Sequence, residues 1–243
     1  MHSAIRRQFV VAAIVLSSAV AFCVDAPDLQ INAVSGLIEV VDASWSGSNY
    51  NVRYTQVLTN GDSKESTLLS SHSANDNDPR ITSAPDGETV VVWWRDLKTD
   101  LVIYRRRTLP TGAWGSEITV GRATESGSRP RVVFSDGDYC IAYQIQNSRS
   151  RSIGVQIIDD DPEPFRAIVA TTTYTGDLDI QVDAEMNHLW VTWIDSASNV
   201  GYSEFDSQSR LWALPTFEPF GADSVQAARA RIRAHVLDLA DLH

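Results

Sequence analysis

An internal repeat constrains this chain more than any other feature. Pro79-Arg80-Ile81 and Pro130-Arg131-Val132 lie 51 residues apart. Each is followed by an Asp-Gly turn, Asp86-Gly87 or Asp136-Gly137, and then by an apolar run, Thr89 to Trp94 or Tyr139 to Tyr143. The layout recurs from Leu178-Asp179-Ile180 with the run Leu189 to Trp193, and more weakly from Leu29-Gln30-Ile31 with the run Leu37 to Val41. The second half of the unit repeats as well. Tyr104, Val155 and Tyr202 each precede an aromatic residue (Trp114, Phe165, Trp212) by ten positions, and Tyr54 holds the same place in the first copy with Lys64 where the aromatic would stand. Self-similarity at a period of about fifty residues marks a repeat architecture. The units run over 28–78, 79–129, 130–177 and 178–225.

Each unit reads as four short strands. In the second these are Arg80 to Ala84, Thr89 to Arg95, Leu101 to Arg106 and Trp114 to Val120. The runs are β-branched and aromatic and are bounded by Gly, Pro, Asp and Asn, as hairpin strands are. Many evenly spaced strands suit a sandwich, a barrel or a propeller. One four-stranded sheet per unit, repeated radially, selects the last, with a sandwich as the rival. The expected fold is therefore all-β, a β-propeller of four four-stranded repeats over 24–225. A tail over 226–243 departs from it. Val225, Ala228, Ile232, Val236 and Leu239 recur three or four apart behind the capping candidates Asp223 and Ser224, which predicts a C-terminal amphipathic helix.

The N-terminus predicts export. Arg6 and Arg7 precede an apolar run from Phe9 to Leu16, and Ala19-Val20-Ala21 supplies the small residues of a cleavage site. Residues 1–23 read as a signal peptide, with an uncleaved anchor as the alternative and a twin-arginine flavour in Arg6-Arg7-Gln8-Phe9-Val10. The expected location is secreted, periplasmic or at the cell surface, with no membrane span once the signal is removed. A formal net charge of −11 repels phosphate backbones and anionic lipids, so a nucleic-acid partner is excluded. The chain has two cysteines. Cys23 lies at the cleavage region and Cys140 in an apolar strand pattern, so Cys140 is expected to be a buried free thiol.

Strand pairs of the Val90-Val91-Val92-Trp93-Trp94-Arg95-Asp96 type, followed by Ile103-Tyr104, resemble the diverged repeats of sialidase-like (BNR-type) propellers, although no intact Asp-box is present. The resemblance spans 28–225. It implies a propeller fold and an arginine cluster for a sugar carboxylate, for which Arg80 and Arg131 are the matching positions.

The first strand of a propeller blade lines the central channel. The polar residues just before the apolar anchors, Gln30, Arg80, Arg131 and Asp179, therefore form one candidate binding level. Two guanidiniums there would hold a carboxylate or sulfate through bidentate hydrogen bonds. The competing reading pairs them with Asp179 or neighbouring acidic groups. Trp114 and Trp212 follow turns and are candidate sugar-stacking residues, whereas Trp94 and Trp193 read as core. The acidic runs Asn75 to Asp78 and Asp159 to Asp161 lack EF-hand spacing and read as solvated loops. Arg105-Arg106-Arg107 reads as a surface run. The histidines have no zinc-ligand spacing, so neither metal nor cofactor is expected. No motif assigns a catalytic residue.

The chain thus reads first as an exported, non-enzymatic propeller that binds a glycan or another surface ligand, such as a protein. The alternatives are a diverged sialidase-type glycoside hydrolase and a structural module docking envelope proteins. Four units could close a ring alone, or a homodimer could complete a larger one.

Overall fold

The structure, a computed structural model, describes residues 27–108, 112–121, 126–135, 137–146, 150–158, 165–172, 179–185, 188–194, 199–206 and 211–219. The signal peptide and the C-terminal helix expected from sequence lie outside these residues, as does the run Asp159 to Asp161. Among the described residues there is no helix, so none is long and apolar enough to cross a membrane.

Four antiparallel sheets follow one another along the chain. The first holds β1 (Asp28–Ile31), β2 (Ile38–Trp45), β3 (Tyr50–Val57) and β4 (Ser63–Leu68). The second holds β5 (Asp76–Ser83), β6 (Thr89–Arg95), β7 (Leu101–Thr108), β8 (Ala113–Trp114) and β9 (Ile118–Val120). The third is β10 (Ser126–Ser135), β11 (Asp138–Gln146), β12 (Arg151–Ile158) and β13 (Arg166–Thr172). The fourth is β14 (Asp179–Glu185), β15 (His188–Ile194), β16 (Asn199–Asp206), β17 (Leu211–Trp212) and β18 (Thr216–Pro219). Each is an up-and-down meander of sequence neighbours, except that β9 pairs with β7 and β18 with β16. The sheets meet through their first strands: β1 packs on β5, β5 on β10 and β10 on β14. These are the inner strands of a radial array.

This arrangement explains why the second strands read as continuous apolar runs rather than alternating ones. Successive side chains of a strand point to opposite faces. In β6, Val91 and Trp93 join Val41, Val52 and Tyr54 in the seam with the first sheet. Val90 and Val92 join Tyr139, Ile141 and Tyr143 in the seam with the third. Cys140, Ala142, Ile153 and Val155 meet Leu189, Val191 and Trp193 in the next seam. A sheet covered on both faces needs apolar residues on both. Each such side chain contributes about 1.5–3 kcal/mol by leaving water. The outermost strands differ. β4 is mostly exposed and carries Lys64 and Glu65, charges that discourage edge-to-edge pairing.

The outer strand of the second and fourth units is not the single strand the sequence suggests. Trp114 pairs with Arg107 and Ile118 with Tyr104, so three residues lie opposite two. Trp212 pairs with Phe205 and Thr216 with Tyr202, which repeats the same one-residue excess. This bulge splits each outer strand in two. On the third strands, Gly154 and Gly201 stand opposite Tyr143 and Trp193. A Cβ at Gly201 would fall 2.2 Å from the Trp193 ring, so only glycine leaves that ring its place.

Candidate functional site at the inner-strand ends

Two bulges build the site. The β5–β6 ladder shifts register between Asn77 and Arg80, and the β10–β11 ladder between Ser128 and Arg131. At each shift a residue before proline takes a left-handed conformation, Asp78 with φ 48° and Arg129 with φ 52°. Asp is among the few non-glycine residues that tolerate this region. The turn in the strand brings Asp78 under both guanidiniums. Arg80 forms an ion pair with Asp78 Oδ1, and Arg131 Nη1 donates to Asp78 Oδ2 at 2.9 Å. Both arginines also donate to the carbonyl of the preceding proline. Side-chain exposure is 23% for Arg80, 16% for Arg131 and 13% for Asp78, so the cluster is recessed but reaches solvent.

Asp28 completes the group from the first sheet. Its carboxylate accepts the backbone N–H of Ile81 at 3.0 Å, which ties β1 to β5. Burial pushes its carboxyl above the ordinary carboxylate value, while the Ile81 N–H and the charges of Arg80 and Arg131 pull the other way.

Strand register places the four expected channel residues differently from the apolar-anchor alignment. The repeat markers Tyr54, Tyr104, Val155 and Tyr202 pair with Val41, Val92, Ala142 and Thr192. Those in turn pair with Asp28, Arg80, Arg131 and Gln181. Asp28 and Gln181 therefore occupy the arginine level, with Gln30 and Asp179 two positions away along their strands. The sequence signal for this was the proline series Pro27, Pro79, Pro130, each directly before the level residue.

Gln30 belongs to a separate polar node between the first two sheets. Glu39, fully buried, accepts from Gln30 Nε2 at 2.8 Å, Tyr54 Oη at 2.6 Å, Ser83 Oγ at 2.9 Å and Asn32 Nδ2 at 3.2 Å. Thr89 and Gln56 add longer bonds, and Arg107 stands 3.8 Å away. Tyr54 is itself fully buried, and burial together with its bond to Glu39 raises its phenol well above the ordinary value. Gln30 is thus a donor to a buried carboxylate rather than a ligand group.

The two candidate stacking residues are half-buried and packed against neighbouring rings. Trp114 lies edge-on to Tyr54 at 4.9 Å between ring centroids and packs on the seam of the first two sheets. Trp212 packs on the seam of the third and fourth, 5.2 Å from Phe205. Both indole nitrogens are buried. A bulge follows each of these tryptophans in the outer strand, which a linear reading does not reveal. Trp193 is core as expected, and Cys140 is a buried free thiol whose burial raises its pKa.

The acidic run at 75–78 is not a solvated loop. Asp76, fully buried, forms two bonds with Arg95, which also binds Glu117. Burial opposes the Arg95 charge, but these carboxylates outweigh it and hold its pKa above the ordinary value. The arginine triplet is likewise engaged: Arg105 binds the Leu69 and Gly115 carbonyls, Arg106 binds Glu88, and Arg107 binds Glu65. Among the described residues no cluster of His, Cys, Asp and Glu could hold a metal ion.

No family model matches the chain, and no curated protein matches it in sequence. Solved structures do match in shape. A protein of unknown function from Dyadobacter fermentans superposes with a TM-score of 0.58 at 11% identity, over 84% of this chain and 71% of that one. The periplasmic gluconolactonase of Pseudomonas aeruginosa gives 0.54 at 16% identity, over 82% and 59%. A candidate exo-beta-1,3-galactanase from Bifidobacterium bifidum gives 0.50 at 14% identity, over 78% and 69%. The chain has a β-propeller fold. At these identities the likeness concerns the fold alone, and the propeller's activity has to be argued from its site.

Proposed function

We propose that this chain is an exported propeller that binds a glycan at the Asp28–Asp78–Arg80–Arg131 cluster without hydrolysing it. One observation carries the reading: guanidiniums from two adjacent blades converge on a single carboxylate, with a second carboxyl from a third blade beside them. A guanidinium has five N–H donors. Asp78 and the prolyl carbonyls leave donors over on both arginines. Sugar hydroxyls both donate and accept, so a recessed set of mixed donors and acceptors suits them, and a uronic or sulfated sugar would find the guanidinium forks as well. The acidic chain as a whole disfavours phosphate polymers. An export signal at residues 1–23, as the sequence suggests, would bring such a protein to where glycans are met. Two of the similar structures bear names of sugar-acting proteins, which supports the same class.

The sialidase-type alternative needs a tyrosine nucleophile partnered by a glutamate and reachable by substrate. The Tyr54–Glu39 pair with Arg107 has the right groups, but Tyr54 and Glu39 are shut off from solvent. That burial favours binding over hydrolysis.

A printed array of neutral, uronic and sulfated oligosaccharides tests the reading with the chain lacking residues 1–23. The wild type is expected to bind a subset of the array. The double variant R80Q/R131Q is expected to bind it roughly tenfold more weakly or worse, as loss of charge-assisted contacts implies. A wild type blank across the array would sink the proposal, and turnover of a bound oligosaccharide would favour the hydrolase.

A further inference from the structure

Trp45 is the most exposed of the seven tryptophans, at 50%, while the other six are buried or half-buried. It sits at the end of β2, directly opposite Tyr50 on β3, and the two rings lie 5.0 Å apart at 58°. Exposed aromatics on hairpin tips are usually mobile, but this tip is tied down. Ser46 N–H donates to the Asn49 carbonyl at 2.9 Å, and the Ser46 hydroxyl to Asn49 Oδ1 at 2.7 Å. Asn49, itself buried, donates to Asn51 Oδ1 at 2.9 Å and to the carbonyls of His72 and Ala74 at 2.5 and 3.2 Å. Tyr50 N–H donates to Asn75 Oδ1 at 3.1 Å. The hairpin tip is thereby fastened to the connection that leads into β5, and the exposed Trp45 ring is held at an angle beside the half-buried Tyr50 ring.

This ring pair is at the same end of the propeller as the arginine cluster. Asp28 pairs with Val41, and Trp45 lies four residues further along β2, about 13 Å at the rise of a strand. Ser46, Ser48, Ser71, His72 and Ser73 around it are exposed. A protein hot spot would want an apolar, water-excluding surround. Rings bordered by hydroxyls suit a sugar, which offers polarised C–H groups to the electron-rich ring faces and hydroxyls to the rim. A platform already rigid before the ligand arrives loses little ordering entropy on binding.

We infer that Trp45 and Tyr50 form a stacking platform for a pyranose ring, a second binding element that engages a residue of the same oligosaccharide beyond the one held by the arginine cluster. This rests on the glycan-binding reading above. Because the two elements are separated along the strand, a chain long enough to reach both is the ligand, and a monosaccharide is not.

The same oligosaccharide array decides it, read with the wild type, W45A, W45F and R80Q/R131Q. Trp45 is half in water, so W45A is expected to keep the wild-type melting temperature and far-ultraviolet circular dichroism. The expected result is a loss of roughly tenfold or more for W45A on the longer oligosaccharides. Their shortest fragments should be nearly unaffected, and W45F should restore most of the loss. If W45A matches the wild type on every oligosaccharide while R80Q/R131Q loses binding, the platform is wrong and the cluster stands, whatever protein contact W45A alters. If the wild type binds none, both fall.

Discussion

At the scale of single residues, the seam between the first two blades depends on Glu39. It is fully buried and takes hydrogen bonds from side chains on β1, β2's neighbour β3, β5 and β6, with Arg107 nearby. Removing one partner of such a set leaves the others desolvated and unpaired, which costs about 3–5 kcal/mol for a buried charge pair. E39A is therefore expected to lose that much in urea unfolding, whereas E39Q, which keeps an acceptor, should lose less. Asp28 makes a prediction about pH. Burial holds its folded pKa above the ordinary 3.8, so the native state binds this proton more tightly than the unfolded chain. Its contribution to stability is then fully present in acid and falls as pH rises through the raised folded value. D28N cannot ionise. It should melt higher than the wild type at neutral pH, with the gap closing in acid; a gap that widens in acid would contradict the assignment.

At the scale of elements, the bulges at Asp78-Pro79 and Arg129-Pro130 matter more than the strands they interrupt. They re-aim the start of each inner strand, and without the turn at Asp78 its carboxylate would not lie between Arg80 and Arg131. The left-handed backbone at Asp78 and the double ion pair are separable. D78N keeps a side chain that tolerates positive φ but loses the charge, whereas D78A loses both. D78A is expected to be less stable than D78N by about 1–2 kcal/mol, the cost of placing a Cβ-bearing residue without a local hydrogen bond in that region. Equal urea midpoints for the two variants would mean the backbone relaxes out of the bulge.

At the scale of the whole molecule, the packing is sequential: each described seam joins one blade to the next. Some residues on the faces turned away from these seams are also out of water. Ile38, Val40 and Val57 on the first sheet are 4–5% exposed, and Trp190 on the fourth is 8% exposed, all within a single chain. No second copy is needed to cover them. Light scattering after size exclusion is therefore expected to give the mass of a monomer for the mature chain. A dimer mass would restore the reading in which two chains complete a larger ring.

The repeat period, the strand positions and the radial sheet architecture were legible in the sequence, because covering a sheet on both faces demands apolar residues on both, and that demand recurs once per blade. So was the burial of Cys140. Which residues share the level of Arg80 and Arg131 was not legible. Aligning on Ile31 and Ile180 led to Gln30 and Asp179, while hydrogen-bond register places Asp28 and Gln181 there. The same holds for Trp114 and Trp212, whose rings pack on seams between blades, and for Trp45, whose exposed ring sits on a hairpin tip that Asn49 ties to residues 72–74. Periodicity is a local property that each strand carries by itself. Register, bulge placement and the meeting of Asp78 with Arg131 across a blade boundary are set by contacts between segments distant in sequence, and those exist only once the blades have packed.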